Sequence, residues 1–140
     1  MKKIIKTDNA PKPIGPYNQA VIAGDYMFIS GQIALNPKNG ELITDDINNE
    51  TTQVMENLKA ILAESSLTFD NVVKTTIFLS SMDNFSNVNE IYGSYLDKDI
   101  APARETVEVS KLPAGVNVEI SMIAMPVSYT HLTLPTSDLV

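Results

Sequence analysis

Between residues 47 and 62, Ile47, Thr51, Val54, Leu58, Ile61 and Leu62 recur every three or four positions. That spacing lays one buried stripe along an α-helix. Asp45 and Asp46 just before it suit a helix N-terminus, as caps and as negative charge facing the helix dipole. The helix is therefore predicted over about residues 46–65. On either side the chain reads as strand. Residues 19–23 and 26–34 come before it, separated by Gly24-Asp25, a dipeptide suited to a tight hairpin. Residues 72–80, rich in β-branched side chains, come after it. Phe85, Val88, Tyr92, Tyr95 and Leu96 mark a second helix, capped near Asp83. Two closing strands follow over residues 104–109 and 116–125, joined by Lys111-Leu112-Pro113-Ala114-Gly115, and Ile4 and Ile5 sit in a short strand-like start. The order is β-β-α-β-α-β-β. Two helices cannot cover both faces of so wide a sheet, so the expected fold class is α+β, two layers, with both helices on one face.

The other face then has to be accounted for. In the last strand Val116, Val118, Ile120, Met122 and Ala124 alternate with Asn117, Glu119, Ser121, Ile123 and Met125, a mixed set rather than a polar one. Phe28 shares its face, by strict alternation, with Ser30 and Gln32. Apolar side chains on a helix-free face point to burial against another subunit. Residues 128–140 fit neither period well; they could be an added arm but also look foreign to the domain, which is expected to end at 127.

Composition removes whole classes of chemistry. The 140 residues suit one domain. There is no cysteine, hence no thiolate nucleophile or thiolate metal site, and the one histidine is His131, too few nitrogen ligands for zinc. The net charge of −7 opposes binding to a phosphate backbone. No stretch has the length and apolarity of a membrane span or a signal peptide, so the expected compartment is the cytoplasm.

A few residues could carry chemistry. Arg104 and Thr106 are two apart in a strand and share a face. Glu119 lies on the mixed face of the following strand, which suggests an arginine near a glutamate at a subunit face. A guanidinium can hold a carboxylate with two parallel hydrogen bonds, and a carboxylate can deprotonate a water. On pattern alone a structural ion pair, or two unrelated strand residues, is the plainer reading. Ser30-Gly31-Gln32 offers close backbone approach to a ligand, or simply a β-bulge. Tyr17, after Gly15-Pro16, could present its phenol to a cleft or pack on a turn, and Asn89 on the second helix could cap, hydrogen-bond or face solvent.

Read in order, these pieces form a series. Gly15-Pro16-Tyr17-Asn18-Gln19-Ala20, Phe28-Ile29-Ser30-Gly31-Gln32, Asn84-Phe85-Ser86-Asn87-Val88-Asn89, Ala101-Pro102-Ala103-Arg104 and Val118-Glu119-Ile120 resemble the Rid (YjgF) family, in its imine-deaminase branch. The resemblance implies a chorismate-mutase-like sandwich and a homotrimer with clefts between subunits. It implies hydrolysis of 2-iminobutanoate and 2-iminopropanoate to 2-keto acids and ammonia, with no cofactor and no metal. Small imino and keto acids would be the partners, not nucleic acid or membrane. By motif, Arg104 would bind the substrate carboxylate and Glu119 would position the attacking water. Tyr17, Ser30, Gly31 and Asn89 would line the pocket, and the Thr106 backbone would add a hydrogen bond. Thr106 stands where several members carry cysteine, and Glu105 where a small residue is common; alternation points Glu105 away from Arg104. The competing functions are a ligand-binding or regulatory protein without turnover, and an RNA-cleaving translation inhibitor.

Overall fold

The computed structural model describes residues 1–126; the expected boundary at 127 and the foreign-looking residues 128–140 lie outside the described residues. Eight regular elements build the fold: β1 (Lys3–Ile5), β2 (Ala20–Ala23), β3 (Tyr26–Gln32), α1 (Ile47–Ala63), β4 (Val72–Leu79), α2 (Phe85–Ser94), β5 (Ala103–Glu108) and β6 (Val118–Ala124). The six strands form one mixed sheet in the order β1-β2-β3-β6-β4-β5. The β2–β3 hairpin closes through Gly24, at φ +60°, and Asp25, as a glycine-first two-residue turn does.

Why both helices share a face follows from connectivity. β3 and β4 are each antiparallel to β6, hence parallel to one another, and β4 is parallel to β5. The chain thus makes two crossovers, β3-α1-β4 and β4-α2-β5, both moving the same way across the sheet. Crossovers of one hand then place both helices on one side. Asp46 starts α1 as expected: its extended backbone lets the carboxylate accept from Asn49 N at 2.7 Å. The expected cap of α2 is corrected. Ser81 caps a short 3₁₀ turn over Met82–Asn84 that runs into the helix, and Asn84 makes no capping bond.

The core lies between the helices and one sheet face. Val54, Leu58, Ile61 and Leu62 of α1 and Val88 and Tyr92 of α2 pack on Met27, Ile29, Ile77, Leu79, Val118, Ile120 and Met122. The opposite face carries Phe28, Phe78, Glu119, Ser121 and Ile123, with Phe28 43% exposed in the single chain. Two expectations about this face change. The register of β3 against β6 slips between Ile29 and Gln32, so the bulge at Ser30-Gly31 turns Gln32 inward, where it pairs with Ile120 and is buried. Gln32 does not share the face of Phe28. The two closing strands are not neighbours either, because β4 runs between β5 and β6.

Candidate functional site

That inserted strand separates the two residues expected to work together. Arg104 is registered with Thr75 of β4, which faces Met122 of β6, all on the helix-covered side. Glu119 is registered with Phe78, on the open side. Two strand spacings and three residues of rise put their backbones roughly 14 Å apart, and their side chains leave opposite faces of the sheet. Within one chain they form no pair, structural or catalytic. The expected residues instead sort into two groups.

The first group surrounds Glu119. With Tyr17, Gly31 and Pro113 it lines a pocket of about 70 Å³, bordered also by Lys12 and Ile14. That space holds about two water-sized groups, room for a water and a short aliphatic substituent. Glu119 has no hydrogen-bond or ion-pair partner among the described residues, and burial alone raises its pKa above the ordinary glutamate value. Gly31 is what lets it lie there. A Cβ on Gly31 would stand 2.7 Å from Glu119 Oε2 and 2.9 Å from Cδ. The close approach anticipated at this glycine is therefore made by the glutamate side chain.

Neighbouring residues hold this group in place. Ser30, expected to touch ligand, donates its hydroxyl to the Asn18 carbonyl at 2.6 Å, and its N–H bonds the Gln19 carbonyl. It secures the segment carrying Tyr17. Buried Gln19 accepts from Thr7 N and donates to the carbonyls of Thr7, Ala10 and Pro11, closing the long loop that precedes Tyr17. The start of β6 is fixed from beneath by Glu50, fully buried in the first turn of α1. Its carboxylate accepts from Asn117 N (2.7 Å), Asn117 Nδ2 (2.8 Å) and Val118 N (3.3 Å). Nothing in the sequence distinguished Glu50 from an ordinary acidic residue near a helix N-terminus.

The second group surrounds Arg104 on edge strand β5. Its Nη1 donates to Asn89 Oδ1 at 2.6 Å, and its guanidinium carbon lies 5.3 Å from the ring centre of Tyr92 and 5.8 Å from that of Phe85. Thr106, two residues on, shares this face, and its hydroxyl is buried without a hydrogen-bond partner among the described residues. Tyr92 donates to Thr75 Oγ1 at 2.9 Å; burial raises its pKa, against the lowering effect of the Arg104 charge. Glu105 points to the opposite face, as alternation required. There it pairs with Lys74 at 3.1 Å and accepts from Thr76, contacts that lower its pKa.

A larger groove of about 510 Å³ runs beside α1, but its polar side chains are largely committed to one another or to backbone. Asn57 binds the Ile33 and Leu35 carbonyls, Gln53 binds Asn57, and Glu56 accepts from Tyr95. It gathers no acid–base set. Among the described residues no cluster of histidine, cysteine or acidic groups could hold a metal ion, and no helix is long and apolar enough to cross a membrane.

The chain is similar to known proteins in sequence and in fold. The family described as Endoribonuclease L-PSP matches residues 7–126. A RutC family protein of Pyrococcus horikoshii is 49% identical, over 89% of this chain and 98% of its own. The 2-iminobutanoate/2-iminopropanoate deaminase of Mus musculus is 43% identical, over 89% and 92%. Among solved structures, the Rid family protein YyfA of Yersinia pestis superposes with a TM-score of 0.86 at 48% identity, covering 89% of this chain and 99% of that one. TdcF of E. coli with bound serine gives 0.82 at 38% identity, covering 88% and 98%. A match along nearly the whole described chain, to sequences this similar and structures this close, means that the protein belongs to the Rid family.

Proposed function

We propose that this protein hydrolyses 2-imino acids with short side chains, 2-iminobutanoate and 2-iminopropanoate, to 2-keto acids and ammonia. We place the reaction at sites formed where copies of the chain meet in a homotrimer. The observation that carries the reading is Glu119: a half-buried carboxylate with no hydrogen-bond or ion-pair partner among the described residues, its pKa raised by burial, in a pocket with room for water and a small substituent. A general base works best with a pKa near the working pH. The mouse relative bears the name of this activity.

The chemistry asks little. Arg104, held by neutral groups, keeps its charge and one guanidinium edge for the substrate carboxylate. Glu119 takes a proton from water as the water oxygen attacks the imine carbon. That proton passes to the imine nitrogen, giving the carbinolamine; the carbinolamine hydroxyl then gives up its own proton through Glu119 and the nitrogen takes it as the carbon–nitrogen bond breaks, releasing ammonia and leaving the keto acid. An imine is already electrophilic, so orientation and one base suffice. Because Arg104 and Glu119 leave opposite faces of one sheet, a small substrate can reach both only if they come from different copies. The exposed Phe28 and Val107 give the open face an apolar surface for such contact. RNA cleavage fits less well, since the net charge of −7 gives no counterion-release gain.

The test couples a threonine dehydratase to the purified protein and follows 2-ketobutyrate. The keto acid should appear faster than by spontaneous hydrolysis, and Glu119→Gln should abolish the difference. A Glu119→Gln protein with unchanged turnover would make the glutamate structural and the reading wrong.

A further inference from the structure

Arg104 lacks the usual anchor of a half-buried arginine. No carboxylate lies within ion-pair distance of it among the described residues, where the one such pair is Lys74–Glu105. Its contacts are an amide oxygen and two aromatic rings, all neutral. These three groups form one stripe of α2: Phe85, Asn89 and Tyr92 stand at i, i+4 and i+7, on one helix face. Tyr92 is itself fixed at its far end. Its hydroxyl donates to Thr75, and Thr75 is the register partner of Arg104 across β4 and β5. A closed circuit results: Arg104 backbone to Thr75, Thr75 hydroxyl to Tyr92, Tyr92 ring to the Arg104 guanidinium.

We propose that Tyr92, pinned by Thr75, is a positioning residue for substrate binding: with Phe85 and Asn89 it sets the Arg104 guanidinium in the orientation that receives the substrate carboxylate. The inference rests on the reading of Arg104 as the carboxylate anchor. Its physical basis is twofold. A carboxylate in the same role would orient the arginine but neutralise it in advance; aromatic faces attract the cation and leave its charge available to an anion. A flexible side chain held in one geometry beforehand also loses less entropy when the ligand arrives.

The test uses Tyr92→Leu, which removes the ring, Tyr92→Phe, which removes the bond to Thr75, and Phe85→Leu, which keeps apolar bulk if Tyr92→Leu does not fold. Each is assayed for imine hydrolysis, for 2-ketobutyrate affinity by calorimetry, and for the Arg104 Nε–Hε resonance in protein labelled with ¹⁵N-arginine, assigned by its loss in Arg104→Lys. Removing a ring should weaken 2-ketobutyrate binding and raise KM together by about tenfold. The effect on kcat should be small, because the carboxylate contact is made equally in ground and transition states. The Arg104 resonance should shift and broaden in the absence of ligand. Tyr92→Phe should give a smaller change of the same kind. Folded Tyr92→Leu or Phe85→Leu protein with unchanged 2-ketobutyrate affinity and an unshifted Arg104 resonance would overturn the proposal, as would a loss confined to kcat and Tm. Failure of the unmodified protein to hydrolyse imines would refute the proposed function but leave the resonance to decide the role of Tyr92.

Discussion

Gly31→Ala isolates the position of the Glu119 carboxylate from its chemistry. Gly31 is not in the left-handed region, so alanine imposes no backbone strain there. What the new methyl meets is the glutamate, at 2.7 Å from Oε2 and 2.9 Å from Cδ. Restoring an ordinary contact of 3.4 Å to Oε2 requires about 0.7 Å of displacement, which the end of a flexible side chain can supply. The fold should therefore hold, with Tm changed by only a few degrees, and the lower entropy of the unfolded alanine chain works in its favour. Catalysis should not hold. A misplacement approaching 1 Å can cost about 10²-fold in rate, so kcat for imine hydrolysis should drop by roughly 10- to 100-fold while 2-ketobutyrate still binds, the anchor proposed for it, Arg104, being untouched. The measurement pairs the dehydratase-coupled assay with thermal melting and calorimetry. Wild-type kcat in a folded Gly31→Ala protein would refute the claim that the place of this carboxylate matters.

Four other perturbations follow from the structure. Because burial raises the Glu119 pKa, its basic form and with it kcat/KM should be lost as pH falls through a value above the ordinary glutamate range. The same shift means that ionised Glu119 costs folding energy at neutral pH, so Glu119→Gln should melt higher than wild type there and lose that advantage below about pH 4.3, where the unfolded glutamate is also protonated; equal Tm at both pH values would contradict the shift. Glu50→Ala strands the N–H groups of Asn117 and Val118 and should cost about 2–4 kcal/mol by denaturant titration; a loss below about 0.5 kcal/mol would show that water replaces the carboxylate. Phe28→Asp should return the light-scattering mass to that of a single chain and remove imine hydrolysis; an active monomer would rule out sites between copies.

The elements were legible because each has its own period: three and four for α1 and α2, two for the strands. What periodicity cannot report is which strands meet. Pairing between β6 and its neighbours β3 and β4 is decided by long-range burial, so Arg104 and Glu119, only fifteen positions apart, read as neighbours although β4 divides them. Strict alternation likewise failed at Ser30-Gly31, where the bulge shifts Gln32 to the core. The family resemblance supplied the expected site residues, but not how they divide between faces. It also left out the residues that hold them. Tyr92 reads as core because it is core; its second role depends on a hydroxyl and a ring face, which share one position with its packing surface. Glu50 reads as a helix-start acid, and only the fold brings Asn117 to it.

The division of Arg104 and Glu119 between faces leads to a complementation test. If each site takes its arginine from one copy and its glutamate from another, Arg104→Lys and Glu119→Gln damage different halves of it. Each homogeneous variant should be inactive, every site lacking one member. When the two proteins are mixed, dissociated in mild denaturant and reassembled, some sites combine the intact Arg104 of a Glu119→Gln copy with the intact Glu119 of an Arg104→Lys copy. Random association of equal amounts restores about one site in four, and those sites are wild type in both residues. Activity should rise to roughly that share, and only after exchange. Were both residues drawn from one copy, mixing could restore nothing, because no single chain would carry an intact pair. Persistent inactivity of the reassembled mixture, with heteromers demonstrated by mass spectrometry, would therefore refute a site shared between copies.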